Sequence, residues 1–372
     1  LSKLTVAVLF GGRSVEHEVS LLSARSVISN IDPAKYYVFP IFIEKNGMWR
    51  KASVSGWLDE GGLEFFEDSF LSPSLNPAAP VFYEISGREL IAEHKVDVVF
   101  PVLHGTYGED GAVQGVFELM GVPCVGASVL GSSVGMDKIV MKTLLKESGL
   151  PVVGYLGFYK SDWQSAKEPL KERILKEIGL PCFVKSANLG SSVGITKVKS
   201  EDELEGAVDY SCRFSERVIV ERAVKKPREI EVSVLGNDSP QASCPGEVVP
   251  HREFYDYTAK YLEEGTGLIA PPELDEETSE KLRDYAVRTF RALDCSGMGR
   301  VDFLLEDGTN EIYVSEINTI PGFTKISMYP RLWEVSGVSF PELVNRLIEL
   351  AVERRRRADS LESDYSKSGG KE

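Results

Sequence analysis

The 372-residue chain has no apolar stretch long enough to cross a bilayer, no C-x-x-C pair and only four histidines. Each absence removes a class of function. Without a spanning run, an integral membrane helix is excluded. The five cysteines, at 124, 182, 212, 244 and 295, form an odd set without metal-ligand spacing, which argues against a zinc site and a disulfide framework and fits a reducing compartment. A net charge of -15 leaves nucleic acid and anionic membranes repelled at long range. No basic leader or signal-length apolar core precedes the strand-like Leu4 to Phe10, so a cytoplasmic location is expected. The arginines Arg354 to Arg357 follow Leu343, Val344, Leu347, Ile348 and Ala351 at helical spacing, so they read as a cationic last helical turn rather than a nucleic-acid patch.

What is present is organisation. The length predicts two to three domains. In the first third, strands at Leu4 to Phe10, Val38 to Ile43 and Val96 to Pro101 alternate with helices at Ser14 to about Asn30 and Gly111 to Met120, the α/β pattern of a parallel sheet. Between about Lys45 and Lys95 the pattern weakens into a hairpin-rich insertion with no assigned function. Helices ending at Gly149-Leu150-Pro151 and Gly179-Leu180-Pro181 repeat one stop, in which glycine takes the left-handed cap and proline prevents continuation. Strands are expected at Cys182 to Lys185, Val218 to Val220 and about Glu229 to Leu235, and a helix at about Glu276 to Ala292. The aperiodic stretch from His251 to Pro272 suits a closing lid, and Ser360 to Glu372 is expected to be disordered.

The richest pattern lies near the end. In Gly299-Arg300-Val301-Asp302-Phe303 and Tyr313-Val314-Ser315-Glu316-Ile317-Asn318, the polar residues stand two apart, so on strands they share one face. The Asp307-Gly308-Thr309 turn between them predicts an antiparallel hairpin. Centred on Thr309, it sets Asp302 opposite Glu316 and Arg300 opposite Asn318, with Val301, Phe303 and Ile317 on the other face. Two carboxylates and an amide oxygen suit a hard divalent cation shared with phosphate; the alternative is a charged solvent face.

Lys185 followed by Gly190-Ser191-Ser192-Val193-Gly194 reads as a strand-borne lysine and a glycine loop able to close over phosphates. It is neither a P-loop nor a dinucleotide fingerprint. The pentapeptide also occurs as Gly131-Ser132-Ser133-Val134-Gly135, and both copies match the G-x-S-x-G elbow of serine hydrolases, for which only His251 follows as a base. A nucleotide-binding module without catalysis is a further alternative. Gly11-Gly12-Arg13-Ser14-Val15-Glu16-His17-Glu18 and His104-Gly105-Thr106-Tyr107-Gly108-Glu109-Asp110-Gly111 follow strands, where open α/β sheets bind ligands. Glu16 and Glu18 are equally explained as acids in a first helical turn.

Together with Met136-Asp137-Lys138, Phe254-Tyr255-Asp256-Tyr257, Ala259-Lys260-Tyr261 and Thr319 with Pro321-Gly322, these motifs are collinear, and the whole chain resembles the D-alanine:D-alanine ligase family of the ATP-grasp superfamily. The resemblance implies an α/β fold, α+β in its C-terminal part, in three domains. These are an N-terminal parallel-sheet substrate-binding domain over 1–126 with the insertion at about 45–95, a central ATP-grasp domain over 127–224, and a C-terminal ATP-grasp domain over 225–372 carrying the ω-loop at about 251–272 and the metal site. The implied activity is ADP-forming ligation of two D-alanines through an acyl phosphate, for peptidoglycan precursors.

By the same resemblance ATP lies between two sheets. Lys138, Lys185, Ser191, Ser192 and Lys260 would serve its phosphates, Glu221 and the backbone near Ala223 and Val224 its adenine, and Glu229 its ribose. Asp302, Glu316 and Asn318 would hold two Mg²⁺ (or Mn²⁺). Glu16 would bind the first ammonium, linked to Ser191 and Tyr261, with His104 nearby; Ser327 and the backbone at Met328 would take the second carboxylate. Arg300 and the Gly322 N–H would meet the tetrahedral oxyanion. Tyr261 favours D-alanine over D-lactate as second substrate, D-serine remaining an alternative. A homodimer acting on small molecules, with no nucleic acid or membrane partner, is expected.

Overall fold

The computed structural model describes residues 2–59, 61–66, 68–190, 194–249, 267–324 and 326–362. Ser191, Ser192, Lys260 and Tyr261, and with them most of the expected ω-loop, lie outside the described residues, as does His251.

Near the N-terminus β1 (Leu4–Gly11), β2 (Tyr36–Ile43), β3 (Trp49–Ser53) and β4 (Glu64–Phe65) form a sheet with β8 (Val98–Val102), in the order β4-β3-β2-β1-β8. The β2-β1-β8 part is parallel, as the alternation with helices requires. The insertion contributes β5 (Phe70–Pro73), β6 (Val81–Ser86) and β7 (Glu89–Lys95), an antiparallel sheet of its own.

Two antiparallel sheets follow. The first, in the order β11-β10-β12-β9, comprises β9 (Tyr155–Tyr159), β10 (Cys182–Ser186), β11 (Thr196–Val198) and β12 (Arg217–Arg222). The second, in the order β15-β14-β13-β16-β17, comprises β13 (Pro227–Gly236), β14 (Gln241–Val249), β15 (Gly267–Ile269), β16 (Gly297–Glu306) and β17 (Ile312–Asn318). Along β16 the residues alternate, Val301, Phe303 and Leu305 being buried while Arg300, Asp302 and Leu304 are only partly covered. The apolar face packs on the Glu276–Ala292 helix through Leu282, Ala286 and Phe290, and the polar face is thereby turned outward. Asp275 fixes the start of that helix by accepting the Thr278 N–H at 2.7 Å. Both Gly-Leu-Pro stops hold, Gly149 at φ 69° and Gly179 at φ 73°.

The long Phe340–Asp359 helix returns to the first sheet, where Leu343, Val344, Leu347 and Ile348 share a core with Val6, Val8, Phe100 and Val102. Its cationic end does more than answer a helix dipole. Arg354 bonds the carbonyls of Cys124 (2.8 Å) and Gly126 and the Ser296 hydroxyl, and burial lowers its pKa.

The first copy of Gly-Ser-Ser-Val-Gly lies inside the Val129–Met136 helix, capped by Ser128, and Ser133 Oγ donates within reach of the Asp110 and Val129 carbonyls, each at 2.8 Å; Ser191 to Val193 of the second copy lie outside the described residues. A nucleophile elbow needs a strand-to-helix turn at the serine, so the first copy does not make one.

Candidate active site

The hairpin of β16 and β17 pairs Arg300 with Asn318 and Asp302 with Glu316, as the motif spacing predicts, but the turn does not set that register. From the turn, Leu305 pairs with Ile312 and Phe303 with Val314; a bulge then makes Ser315 an extra residue before Glu316. On the shared face Arg300 donates to Asp302 twice, Nε to Oδ1 and Nη2 to Oδ2, both at 2.7 Å. Asn318 Nδ2 donates to Asp302 Oδ2 at 3.0 Å. Glu231, directly across from Asp302 on β13, brings Oε2 to 3.0 Å from Arg300 Nε. Because the Nε hydrogen is directed to Asp302, this is a charge contact. The arginine expected to face substrate is therefore seated between two carboxylates.

The opposing surface is cationic. Lys138 opens the Lys138–Glu147 helix, whose N-cap Asp137 accepts the Ile139 and Val140 N–H groups at 3.0 Å. Its Nζ donates to Leu189 O at 2.8 Å, at the edge of the glycine loop, and stands 3.5 Å from Glu316 Oε2. Lys185, on β10, pairs with Glu221 Oε2 at 2.7 Å, and Lys142 approaches Glu221 Oε1 at 3.1 Å. Burial alone would raise the Glu221 carboxyl, but the two ammonium groups hold it down at about 2. Burial also lowers the Lys142 pKa against the pull of Glu221, whereas for Lys185 the pull of Glu221, Glu316 and Glu229 outweighs burial and raises it. Glu316 and Glu229 thus lie close enough to Lys185 for their charge to act on it. Beyond Glu221, the Ala223 N–H donates to Pro181 O at 3.1 Å, so that residue presents its carbonyl, and Val224 follows it.

At the N-terminal sheet Glu16 and Glu18 part company. Glu18 is exposed and pairs with Lys45 at 2.8 Å. Glu16 is only 6 % exposed. A methyl group on Gly105, which has φ 72°, would stand 2.5 Å from Glu16 Oε2, and one on Gly190 would stand 3.3 Å from it, so the carboxylate sits between Gly105 and Gly190. His104 is buried, with Nδ1 2.9 Å from Ile320 O and Nε2 3.0 Å from Ser23 Oγ, and burial lowers its pKa. Glu109 accepts the Gly105 N–H at 2.8 Å and the Ile320 N–H at 2.9 Å. Burial, reinforced by the charge of Glu16, raises its pKa to about 8. Both residues fasten the loop that carries Gly322. There a Cβ would stand 2.8 Å from Ser327 Oγ, so a side chain would displace that hydroxyl. Ser327 stands at the N-cap position of the Met328–Val335 helix, where its side chain makes no cap bond and its Oγ instead accepts the Thr324 N–H at 2.9 Å. The first amides of that helix, beginning at Met328, form the kind of N-terminus that receives carboxylates.

Sequence reading passed over Lys142, Glu231 and the placement of Glu109. Lys142 lies four residues after Lys138, hence on the same helix face, and Glu231 lies two after Glu229, hence on the same strand face. Both were open to the spacing logic that found Asp302 and Glu316.

Family models decide the kinship: the D-ala D-ala ligase N-terminus matches residues 5–127 and the D-ala D-ala ligase C-terminus matches residues 144–349. The chain belongs to the D-alanine–D-alanine ligase family. It is 45% identical over 368 residues to the D-alanine--D-alanine ligase of Natranaerobius thermophilus, covering 99% of this chain and 100% of that one. With the Clostridium novyi D-alanine--D-alanine ligase it shares 47% identity over 354 residues, covering 95% and 99%. Among solved structures, the D-alanine-D-alanine ligase from Coxiella burnetii superposes with a TM-score of 0.82 at 37% identity, covering 96% of this chain and 97% of that one. A D-Ala:D-Ser ligase from Enterococcus faecalis superposes at 0.83 with 35% identity, covering 94% and 100%.

Proposed function

We propose that this chain carries out its family's reaction, the ATP-dependent joining of two D-alanines into D-alanyl-D-alanine for peptidoglycan, at the cleft between the two antiparallel sheets. The observation that carries this reading is the opposition of Lys138 and Lys185 to a face bearing Arg300, Asp302, Glu316 and Asn318. In the accompanying division of the chain, 1–126 binds substrate, 127–224 and 225–372 enclose ATP, and the ω-loop at about 251–272 closes over them.

Lys138 and Lys185 meet the phosphates, with Ser191, Ser192 and Lys260 completing the cover. Glu221 with the Ala223 and Val224 backbone flanks adenine, and Glu229 the ribose. The acidic face would repel a triphosphate on its own. Among the described residues no group of three His, Cys, Asp or Glu is placed to hold a metal; two carboxylates and an amide are instead a set that holds Mg²⁺ only together with phosphate oxygens. Asp302, Glu316 and Asn318 fit two Mg²⁺ or Mn²⁺ in that manner, and the ions would neutralise the phosphate oxygens.

In the first half-reaction a carboxylate oxygen of one D-alanine bonds to the γ-phosphorus while the bond to ADP breaks. In the second, the amine of the other D-alanine attacks the acyl carbon and inorganic phosphate leaves. Glu16 pairs with the first ammonium, joined by Ser191 and Tyr261, and His104 lies beside it. Ser327 and the Met328 amide take the second carboxylate. Arg300 and the Gly322 N–H donate to the oxyanion.

The protein acts on small molecules as a cytoplasmic homodimer without nucleic-acid or membrane partners, a reading supported by free cysteines and a charge of -15. Among the described residues no helix is long and apolar enough to cross a membrane. Incubation with ATP, Mg²⁺ and D-alanine should yield ADP, phosphate and the dipeptide in equal amounts. ATP turnover without dipeptide would refute the assignment. D-Alanine should outcompete D-serine and D-lactate as acceptor; preference for D-serine would place the chain with the Enterococcus faecalis enzyme's specificity.

A further inference from the structure

The Ser315 bulge decides which side of β17 faces the cleft. Continued without it, the register that pairs Phe303 with Val314 would set Asp302 opposite Ser315 and Arg300 opposite Ile317. Glu316 would then face Val301 and the core, because a one-residue slip turns every side chain over. A bulge on an edge strand leaves local backbone groups without ladder partners, and β17 is such an edge. The side chain that reaches it is Lys142, only 1% exposed. Its Nζ donates to Ser315 O at 3.1 Å, lies 3.5 Å from Val314 O, and is 3.1 Å from Glu221 Oε1. On the same strand the Val314 N–H is taken by Pro151 O at 2.8 Å.

We infer that Lys142 is a positioning residue for the metal ligands: it holds the Ser315 bulge, and so the orientation of Glu316 and Asn318, against Glu221 on the opposite sheet. A leucine would fill the space at less desolvation cost. What the ammonium adds is simultaneous attachment to the bulge carbonyls and to a carboxylate on β12. The inference rests on Glu316 and Asn318 binding a divalent cation.

The test measures Mn²⁺ binding in the presence of ADP by electron paramagnetic resonance of the free ion, on the full chain. Lys142→Met should weaken Mn²⁺ by about 10-fold or more, the size of effect seen when a partner that orients a ligand is lost. The double variant Lys142→Met/Glu221→Gln, measured at saturating ADP because Glu221 also flanks adenine, removes one charge of each sign while leaving Lys185 without its carboxylate, and should show the same weakening because Ser315 O still lacks its donor. Leu145→Ala, a buried apolar change on the same helix, should lower the melting temperature and leave Mn²⁺ affinity unchanged. Folded lysine variants that bind Mn²⁺ as the parent does would overturn the inference. So would failure of both to fold, since Lys142 would then serve general stability. A parent chain that binds no Mn²⁺ with ADP would instead remove the metal reading beneath it.

Discussion

The two walls of the cleft are built with opposite charge. On one, Lys142 and Lys185 pair with the carboxylate of Glu221, and Lys138 stands at the start of the same helix as Lys142. On the other, Glu231 and Asp302 flank the guanidinium of Arg300, with Glu316 opposite Asp302 and Glu229 further along β13. In both, the minority charge organises the majority: Glu221 holds two lysines in place, and Arg300 fixes Asp302 and draws Glu231. On the proposed reading, a polyphosphate would meet the first wall directly and the second only with cations between, and this asymmetry would orient it.

Removing the minority charge of the acidic wall should have the largest effect. Arg300→Ala should lower the rate of dipeptide formation by about 10²- to 10³-fold, as loss of one oxyanion donor does. Phosphoryl transfer should survive better, so ADP release with a single D-alanine bound, followed in rapid-quench experiments, should fall less than dipeptide synthesis. Equal loss in both would mean that Arg300 serves the wall as a whole, through Asp302, and not the oxyanion.

Glu231→Gln should act less strongly, by about 10- to 100-fold on kcat, since it removes a partner that orients Arg300 and leaves Asp302 in place. With Asp302→Asn added, the losses should be far from additive, because the two carboxylates share one guanidinium.

The pH dependence separates the walls by sign. Glu221 has its pKa depressed from 4.5 to about 2, so it contributes stability above about pH 4.5 that is lost as pH falls toward 2. Glu109 lies behind the acidic wall, on the Ile320 amide, and its pKa is raised from 4.5 to about 8. The folded state binds its proton more tightly, so stability falls as pH rises through that interval and levels off above about 8. Urea denaturation at about pH 5 and about pH 8 should therefore show Glu109→Gln gaining on the parent at the higher pH. A constant difference between the two conditions would mean that Glu109 keeps its charge in the fold.

How much of this was legible in the sequence depended on whether spacing or tertiary context decided the outcome. The two-residue spacing of Arg300 with Asp302 and of Glu316 with Asn318 announced one face, and strands delivered it. The Ser315 bulge carries no local mark: a serine between valine and glutamate is ordinary strand sequence, and only the reach of Lys142 from another element explains its site. The Gly131 to Gly135 copy of Gly-Ser-Ser-Val-Gly makes the same point: it is helical because Ser128 caps it and Val129 and Leu130 lead in, information outside the pentapeptide itself. Arg354 was readable as a charge at a helix end but not as a donor to Cys124 and Gly126, 230 and 228 positions away.

The smallest effect should come from a carboxylate close to the cleft in sequence but outside both walls. Glu18 lies in the first turn of the His17–Asn30 helix, two residues after Glu16 at its N-cap position, and local sequence treats them alike. Burial does not: Glu18 is 62% exposed and paired with a similarly exposed Lys45, while Glu16 is buried beside Gly105 and Gly190. An exposed pair contributes at most about 1 kcal/mol and is screened by salt. Glu18→Gln should therefore leave stability and kcat/KM within experimental error of the parent. Glu16→Gln, which keeps the shape and removes the charge, should raise the KM for the first D-alanine. If Glu18→Gln also raised that KM, charge beyond the walls would be steering the amino acid inward, and the walls would not be the limits of the site's electrostatics.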